Sequence, residues 1–232
     1  MKNQLKKLFQ SLGILNAIRG IRNRFKPYGD NFHMRFPTYD STIQQELTSR
    51  AQHDYVRYAS IALALKQVQT QNIHGHIAEC GVWRGDLSTF LMQCAPTRRF
   101  YLFDTFEGFP KEQIELTDSR FQDTDVESVR AKFPKNVDVQ ICKGIFPDTA
   151  KGLEQEQFAF VMIDFDIYIP TVAALEFFYP RLAKGGYVFI HDVNSPESDH
   201  ACYRAVTEFL QNKPEQFIEI PDLWGSVVFR KV

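Results

Sequence analysis

No stretch of this chain reaches 18 consecutive apolar residues, so no transmembrane helix is expected. Cysteine is scarce: Cys80, Cys94, Cys142 and Cys202 are the four in 232 residues. None stands in a Cys-x-x-Cys pair, and their spacings fit no zinc pattern. A reduced, cytoplasmic protein is expected. The N-terminus has no compact apolar core with a small-residue cleavage site, which argues against a signal peptide. Net charge is only −1, so no nucleic-acid partner is expected from the global field. Gly-x-Gly-x-x-Gly is missing too, because position 83 is Trp.

Hydrophobic residues make up 44% and charged residues 24%, enough apolar surface for one sizeable soluble domain. The charge is uneven. Residues 1–26 hold seven Lys and Arg and no acid, which leaves about −8 on the rest. Within 4–26, Leu5, Leu8, Phe9, Leu12, Leu15, Ile18, Ile21 and Phe25 recur at helical spacing, opposite a basic face. Gly13 and Gly20 weaken that helix. Residues 1–40 thus read as a basic amphipathic extension. It suits packing on the domain or on a second subunit, as in a homo-oligomer. It also suits peripheral contact with an anionic membrane surface through residues 1–26.

From residue 41 the pattern becomes regular. A helix is expected over 41–70, with Leu47, Ala51, Val56, Ala59, Leu63 and Val68 inward. Strands follow at 76–82, 98–104, 137–143, 158–165 and 186–191. Helices follow at 86–94, 125–133, 148–153, 170–183 and 199–211. Two closing strands lie near 216–220 and 225–231. This alternation predicts an α/β fold, a Rossmann-like, seven-stranded, mainly parallel sheet with helices on both faces, over 41–232. The polar stretch 110–126, beside the expected site, suits a lid.

In such a sheet, ligands sit outside the carboxyl ends of the strands. The first strand ends in Glu79-Cys80-Gly81-Val82-Trp83-Arg84-Gly85. Gly81 permits a sharp turn and close approach to a ligand, and Gly85 a tight helix start. The helix N-terminus near Asp86 to Ser88 offers free N–H groups to an anion. Asp104 ends the second strand, where a carboxylate can accept both hydroxyls of a ribose, or else cap the 105–110 turn. After the third strand, Gly144, Ile145 and Phe146 offer an apolar wall for an adenine ring, or simply pack in the core.

The fourth strand ends in Asp164-Phe165-Asp166 and the fifth in His191-Asp192. If these strands are neighbours, Asp164, Asp166, His191 and Asp192 converge. Carboxylates are costly to bury unpaired, so the group invites a metal or cationic partners. The oxygen donors suit Mg²⁺, and the imidazole would also admit Mn²⁺ or Zn²⁺. The other reading is that some of these acids cap helices or bind Arg181 or Lys184.

Six blocks in this order resemble the macrocin O-methyltransferase (TylF-type) family of sugar methyltransferases, over roughly residues 40–232. They are Glu79 to Gly85, Asp104-Thr105-Phe106-Glu107-Gly108-Phe109-Pro110, Gly144 to Thr149, Asp164 to Tyr168 with Thr171, Tyr179 to Tyr187, and Arg204 to Phe209. The resemblance implies a class I methyltransferase that binds S-adenosyl-L-methionine. Glu79, Gly81, Val82, Gly85, Ser88, Asp104, Thr105, Gly144, Ile145, Phe146 and Asp164 are the expected cofactor residues. It also implies a divalent metal on Asp164, Asp166, His191 and Asp192, and a small-molecule sugar acceptor. His191, Asp164 and Asp166 are the candidate catalytic groups. Two places depart from the family pattern: Phe165 replaces a glycine, and His191 replaces one of two paired acids. A nicotinamide-dependent oxidoreductase is an alternative, weakened by the missing glycine at 83 and by the terminal β pair. A binding protein that keeps the fold without methyl transfer is the other, motivated by His191 and Phe165.

Overall fold

The computed structural model describes residues 41–110 and 120–232, with the backbone alone at 41 and 48–53. The extension over 1–40 and most of the expected lid, 111–119, lie outside the described residues. The chain divides into two units, Met1–Tyr55 and Val56–Val232. The described part of the first is the start of helix α1 (Ser41–Thr70), which is interrupted at Asp54 by a non-helical backbone (φ −157°, ψ 74°). Everything below concerns the second unit.

Seven strands form one sheet: β1 (His76–Cys80), β2 (Phe100–Asp104), β3 (Val139–Lys143), β4 (Phe158–Ile163), β5 (Leu182–Ile190), β6 (Phe217–Ile220) and β7 (Ser226–Arg230). Their order is β3-β2-β1-β4-β5-β7-β6. The first five pair in parallel, while β7 runs antiparallel to both β5 and β6. Between them lie α2 (Asp86–Cys94), α3 (Val126–Ala131), α4 (Tyr168–Phe178) and α5 (Ala201–Leu210). This is the α/β fold expected, with β4 and β5 adjacent.

Strand period 2 sorts the side chains. Ala78 and Cys80 of β1 join Phe103, Ile163, Phe178 and Val206 in the larger core, under α4 and α5. Glu79 therefore faces the other way, towards α2. On that side the second half of α1 buries Ile61, Leu65 and Val68, and Tyr58 meets the Phe90 ring edge-on at 4.8 Å. Leu63, expected inward, is only half-buried. Central β4 is buried along its whole length, which explains its unbroken apolar run.

The larger differences from expectation are in two helices and at the start of β5. The stretch 148–153 forms a single 3₁₀ turn, Asp148–Ala150, because Lys151 leaves the helical region (ψ 134°). The expected helix 170–183 starts at Tyr168 and ends at Phe178, then a 3₁₀ turn leads into β5 at Leu182. Gly185, with φ 83°, bends β5 without ending it.

Candidate active site

The order β2-β1-β4 makes the ends of β1 and β4 the point where the sheet's winding reverses, the usual ligand crevice of an open α/β sheet. Here the two expected sites touch. A Cβ on Gly81, whose φ is 86°, would lie 1.8 Å from the backbone oxygen of Asp164. Only a glycine lets the two turns close on each other. The Asp164 N–H donates to the Cys80 carbonyl at 2.7 Å, locking the same junction.

Asp104 organises the turns on the cofactor side. The N–H groups of Val82 and Trp83 donate to its Oδ2 at 2.7 and 2.8 Å. The N–H of Phe106 donates to Oδ1 at 2.6 Å. The carboxylate thus gathers three backbone donors, and one lone pair on Oδ1 remains for a ligand hydroxyl. Capping, one of the two alternatives posed on sequence, thus leaves room to accept one hydroxyl rather than both. Thr105 closes its own turn by donating to the Gly108 carbonyl at 2.6 Å.

Glu79 is 1% exposed and accepts a hydrogen bond from Ser88, which is fully buried. Burial pushes the Glu79 carboxyl up to about 8, helped by the nearby Asp164 and Asp104 carboxylates and opposed by the Ser88 hydroxyl. Gly85 has a left-handed backbone (φ 75°) at the N-terminus of α2, and a Cβ there would press the Val129 side chain at 3.0 Å. Its smallness serves packing against α3.

A cavity of about 840 Å³ opens beyond these strand ends. Gly81, Asp104, Thr105, Gly144, Ile145 and Phe146 line it. Glu79, Val82, Gly85 and Ser88 stand behind the wall and are not among its lining residues. Phe146 is both core and wall: it is 3% exposed and stacks on Phe178 at 5.8 Å. Ile145 is 40% exposed.

The acidic residues converge on the same cavity. Asp164, Asp166, His191 and Asp192 all line it. The His191 Nε2 lies 2.8 Å from the Leu223 carbonyl, a pure acceptor, so Nε2 carries a hydrogen. Nδ1 then faces Asp164 Oδ1 and Asp192 Oδ2, each at 3.0 Å. Burial disfavours a charged imidazole, but the Asp164 and Asp192 carboxylates outweigh it and hold His191 well above its ordinary value. Burial and a hydrogen bond to Asp192 likewise raise Asp166 well above a normal carboxyl. Asp192 goes the other way: bonds from His191 and Asp166 overcome its burial and lower it to about 2.

Among the described residues, Arg57 of α1 meets Asp164 on the oxygen other than the one His191 meets, with Nη1 3.3 Å from Oδ2. Arg181, one of the two partners weighed on sequence beside Lys184, donates instead to the Phe177 and Glu154 carbonyls. Arg57 is 107 positions from Asp164, and no motif marks it.

One imidazole nitrogen and two carboxylate oxygens around a single point must share a cation, a proton or a metal. A hydrogen-bonded far nitrogen is also how metal-bound histidines are oriented. Asp164, His191 and Asp192 therefore fit a divalent ion, with Asp166 beside them.

A clasp covers the turn after β1. Trp83 Nε1 donates to Asp123 at 2.8 Å, Arg84 pairs with the same carboxylate, and Thr124 donates to the Trp83 carbonyl at 2.7 Å. Trp83 takes a left-handed backbone (φ 48°) where dinucleotide motifs use glycine. Arg120 pairs with Glu197 at 2.5 Å, tying the clasp to the loop after β5.

Comparison with known proteins shows the family. Residues 53–231 match the macrocin-O-methyltransferase (TylF) family. The chain belongs to that family. It is 30% identical over 175 residues to the 8-demethyl-8-(2,3-dimethoxy-alpha-L-rhamnosyl)-tetracenomycin-C 4'-O-methyltransferase of Streptomyces olivaceus. That match covers 66% of this chain and 64% of that protein, so this chain spans just under two thirds of its length. It is 25% identical over 213 residues to the mycinamicin III 3''-O-methyltransferase of Micromonospora griseorubida, covering 78% of this chain and 82% of that one. Among solved structures, the O-methyltransferase NovP is similar at a TM-score of 0.65 and 23% identity, over 77% of this chain and 80% of that one. The calicheamicin methyltransferase CalS11 is similar at 0.61 and 21% identity, over 83% and 94%. These two show the shared class I methyltransferase fold.

Proposed function

We propose that this protein transfers the methyl group of S-adenosyl-L-methionine to a sugar hydroxyl of a glycosylated small molecule. The observation that carries this reading is the junction at Gly81. It sets a nucleoside-sized crevice and a carboxylate cluster against each other across one backbone contact. Both relatives named above are O-methyltransferases, and the one from Streptomyces olivaceus is named for a rhamnosyl-tetracenomycin, which supports the acceptor class.

Asp104 presents its remaining Oδ1 lone pair to the ribose, while Ile145 and Phe146 wall the adenine. On the acceptor side a hydroxyl is a poor nucleophile until its proton is removed. Asp164 lines the cavity, and Arg57 and His191 hold it in place, so it is the group set to take that proton. His191 has both ring nitrogens engaged and acts as the positioning cation beside Asp164. The oxygen–carbon bond forms as the sulfur–carbon bond breaks, and fixed reactants supply much of the rate. A divalent ion held by Asp164, Asp192 and the deprotonated Nδ1 of His191 would take the place of that imidazolium and would itself acidify the hydroxyl.

The test is transfer of labelled methyl to a panel of glycosides by the wild type and by Asp164→Asn, with and without chelator. The proposal expects transfer by the wild type and a loss of about a hundredfold or more in the variant. Unchanged turnover in Asp164→Asn would remove it as the base. Full activity in excess chelator would remove the metal.

A further inference from the structure

The chain has two tryptophans, Trp83 and Trp224, and both line the same cavity. Both are exposed, by 37% and 52%, and both have left-handed backbones, with φ 48° and 64°. That conformation is costly for a bulky residue and is kept where the surroundings enforce it, often at ligand clamps. The two rings differ in their neighbours. Trp83 is engaged: the Arg84 guanidinium lies 4.4 Å from its centroid, Phe121 meets it edge-on at 5.4 Å, and Asp123 takes its N–H. Among the described residues, no aromatic or cationic group stacks on Trp224.

The backbone of Trp224 is nonetheless fixed. Its carbonyl accepts from the Asn194 N–H at 2.8 Å, and the Gly225 carbonyl accepts from the Val193 N–H at 3.1 Å. A Cβ on Gly225 would meet Asn194 at 3.0 Å, so this hairpin turn sits close against the loop after β5. The third tether is His191, whose Nε2 donates to the carbonyl of Leu223, next to Trp224. One imidazole thus touches the carboxylates on one side and the turn that carries an open indole on the other.

We propose that Trp224 is the acceptor platform, the face on which the ring of an uncharged glycoside lies while its hydroxyl reaches the carboxylates. His191 is the positioning residue that keeps platform and carboxylates in register. This rests on the reading of the site as an acceptor site. An indole face suits the apolar C–H side of a sugar or a flat aglycone. The rim favours an uncharged ligand: its two arginines, Arg120 and Arg204, are each paired with a carboxylate, Glu197 and Asp199.

The test uses the full chain with p-nitrophenyl α-L-rhamnopyranoside as probe. In a Trp83→Phe background Trp224 is the sole tryptophan. Its fluorescence, with S-adenosylhomocysteine present, should quench saturably as the glycoside is added. Trp224→Ala should raise the acceptor KM about tenfold or more, the usual scale for losing an aromatic stack. It should leave the Kd for S-adenosylhomocysteine and the unfolding midpoint unchanged. Trp224→Phe should restore most of the acceptor affinity, and His191→Asn should raise the acceptor KM as well as lower kcat. An unquenched Trp224, or an unchanged acceptor KM in Trp224→Ala, would overturn the platform. Saturable quenching without methyl transfer by the wild type would leave the platform standing and remove the methyltransferase reading instead.

Discussion

Replacing Glu79 by Gln should stabilise the ligand-free protein at neutral pH. Glu79 sits on a central strand, 1% exposed, with its side chain between β1 and α2. Its carboxyl is raised to about 8 in the fold, chiefly by burial, from an ordinary value of 4.5. Between these values the folded state holds a proton that the unfolded chain has released. A proton held only in the folded state makes stability fall with rising pH, by up to ~1.4 kcal/mol per pH unit. Below 4.5 both states are protonated and the effect is absent; above about 8 both are ionised and it is complete. The loss by pH 7 is therefore about 3 kcal/mol, and the total is on the order of 5 kcal/mol. Gln cannot ionise, and its carbonyl can still accept the Ser88 hydroxyl. Urea unfolding of wild type and Glu79→Gln, without cofactor, should give similar stabilities near pH 5. The variant should pull ahead steadily to pH 8. A stability difference between the two proteins that stays constant from pH 5 to pH 8 would refute the reasoning.

Three further outcomes follow from the same geometry. Gly81→Ala forces a Cβ to 1.8 Å from a backbone oxygen, at a φ of 86°; it should cost about 3 kcal/mol or more, and an unfolding midpoint unchanged by scanning calorimetry would contradict this. Asp104→Asn leaves one acceptor oxygen for three N–H donors, so calorimetric affinity for S-adenosylhomocysteine should fall about tenfold or more; wild-type affinity would argue that the turn holds its shape without the carboxylate. Asp123→Ala removes the shared acceptor of Trp83 and Arg84 at the surface. Its stability should change by less than about 1 kcal/mol, while Trp83 emission shifts as its N–H loses that partner.

Much of this arrangement is legible in the sequence, because the informative residues stand at strand ends. The apolar runs before Glu79, Asp104, Asp164 and His191 locate four parallel strands, and alternation along them leads to a sheet whose carboxyl ends share one crevice. Asp104 carries more than its motif suggests, since a carboxylate that ends a strand also reaches the N–H groups of the neighbouring turn. Other features are set by contacts far apart in the chain. Arg57 meets Asp164 across 107 positions, and Leu223 meets His191 across 32, with no local pattern at either. The start of β5 at Leu182, four residues before the expected 186, is not marked locally, because Gly185 and Gly186 carry no strand preference. In the sheet they lie at the shift of register between Phe158 and Phe160 of the neighbouring strand. The role of Glu79 is also non-local. Its acidic side chain suggests ligand contact, yet strand period turns it away from the cavity and into Ser88.

The most direct measurement is to incubate the purified protein with methyl-labelled S-adenosylmethionine and a set of glycosides, then fragment the product by mass spectrometry. The account predicts S-adenosylhomocysteine in equal amount to product, with the label in the sugar fragment. Label confined to the aglycone, or tight cofactor binding with no transfer to any glycoside, would contradict it.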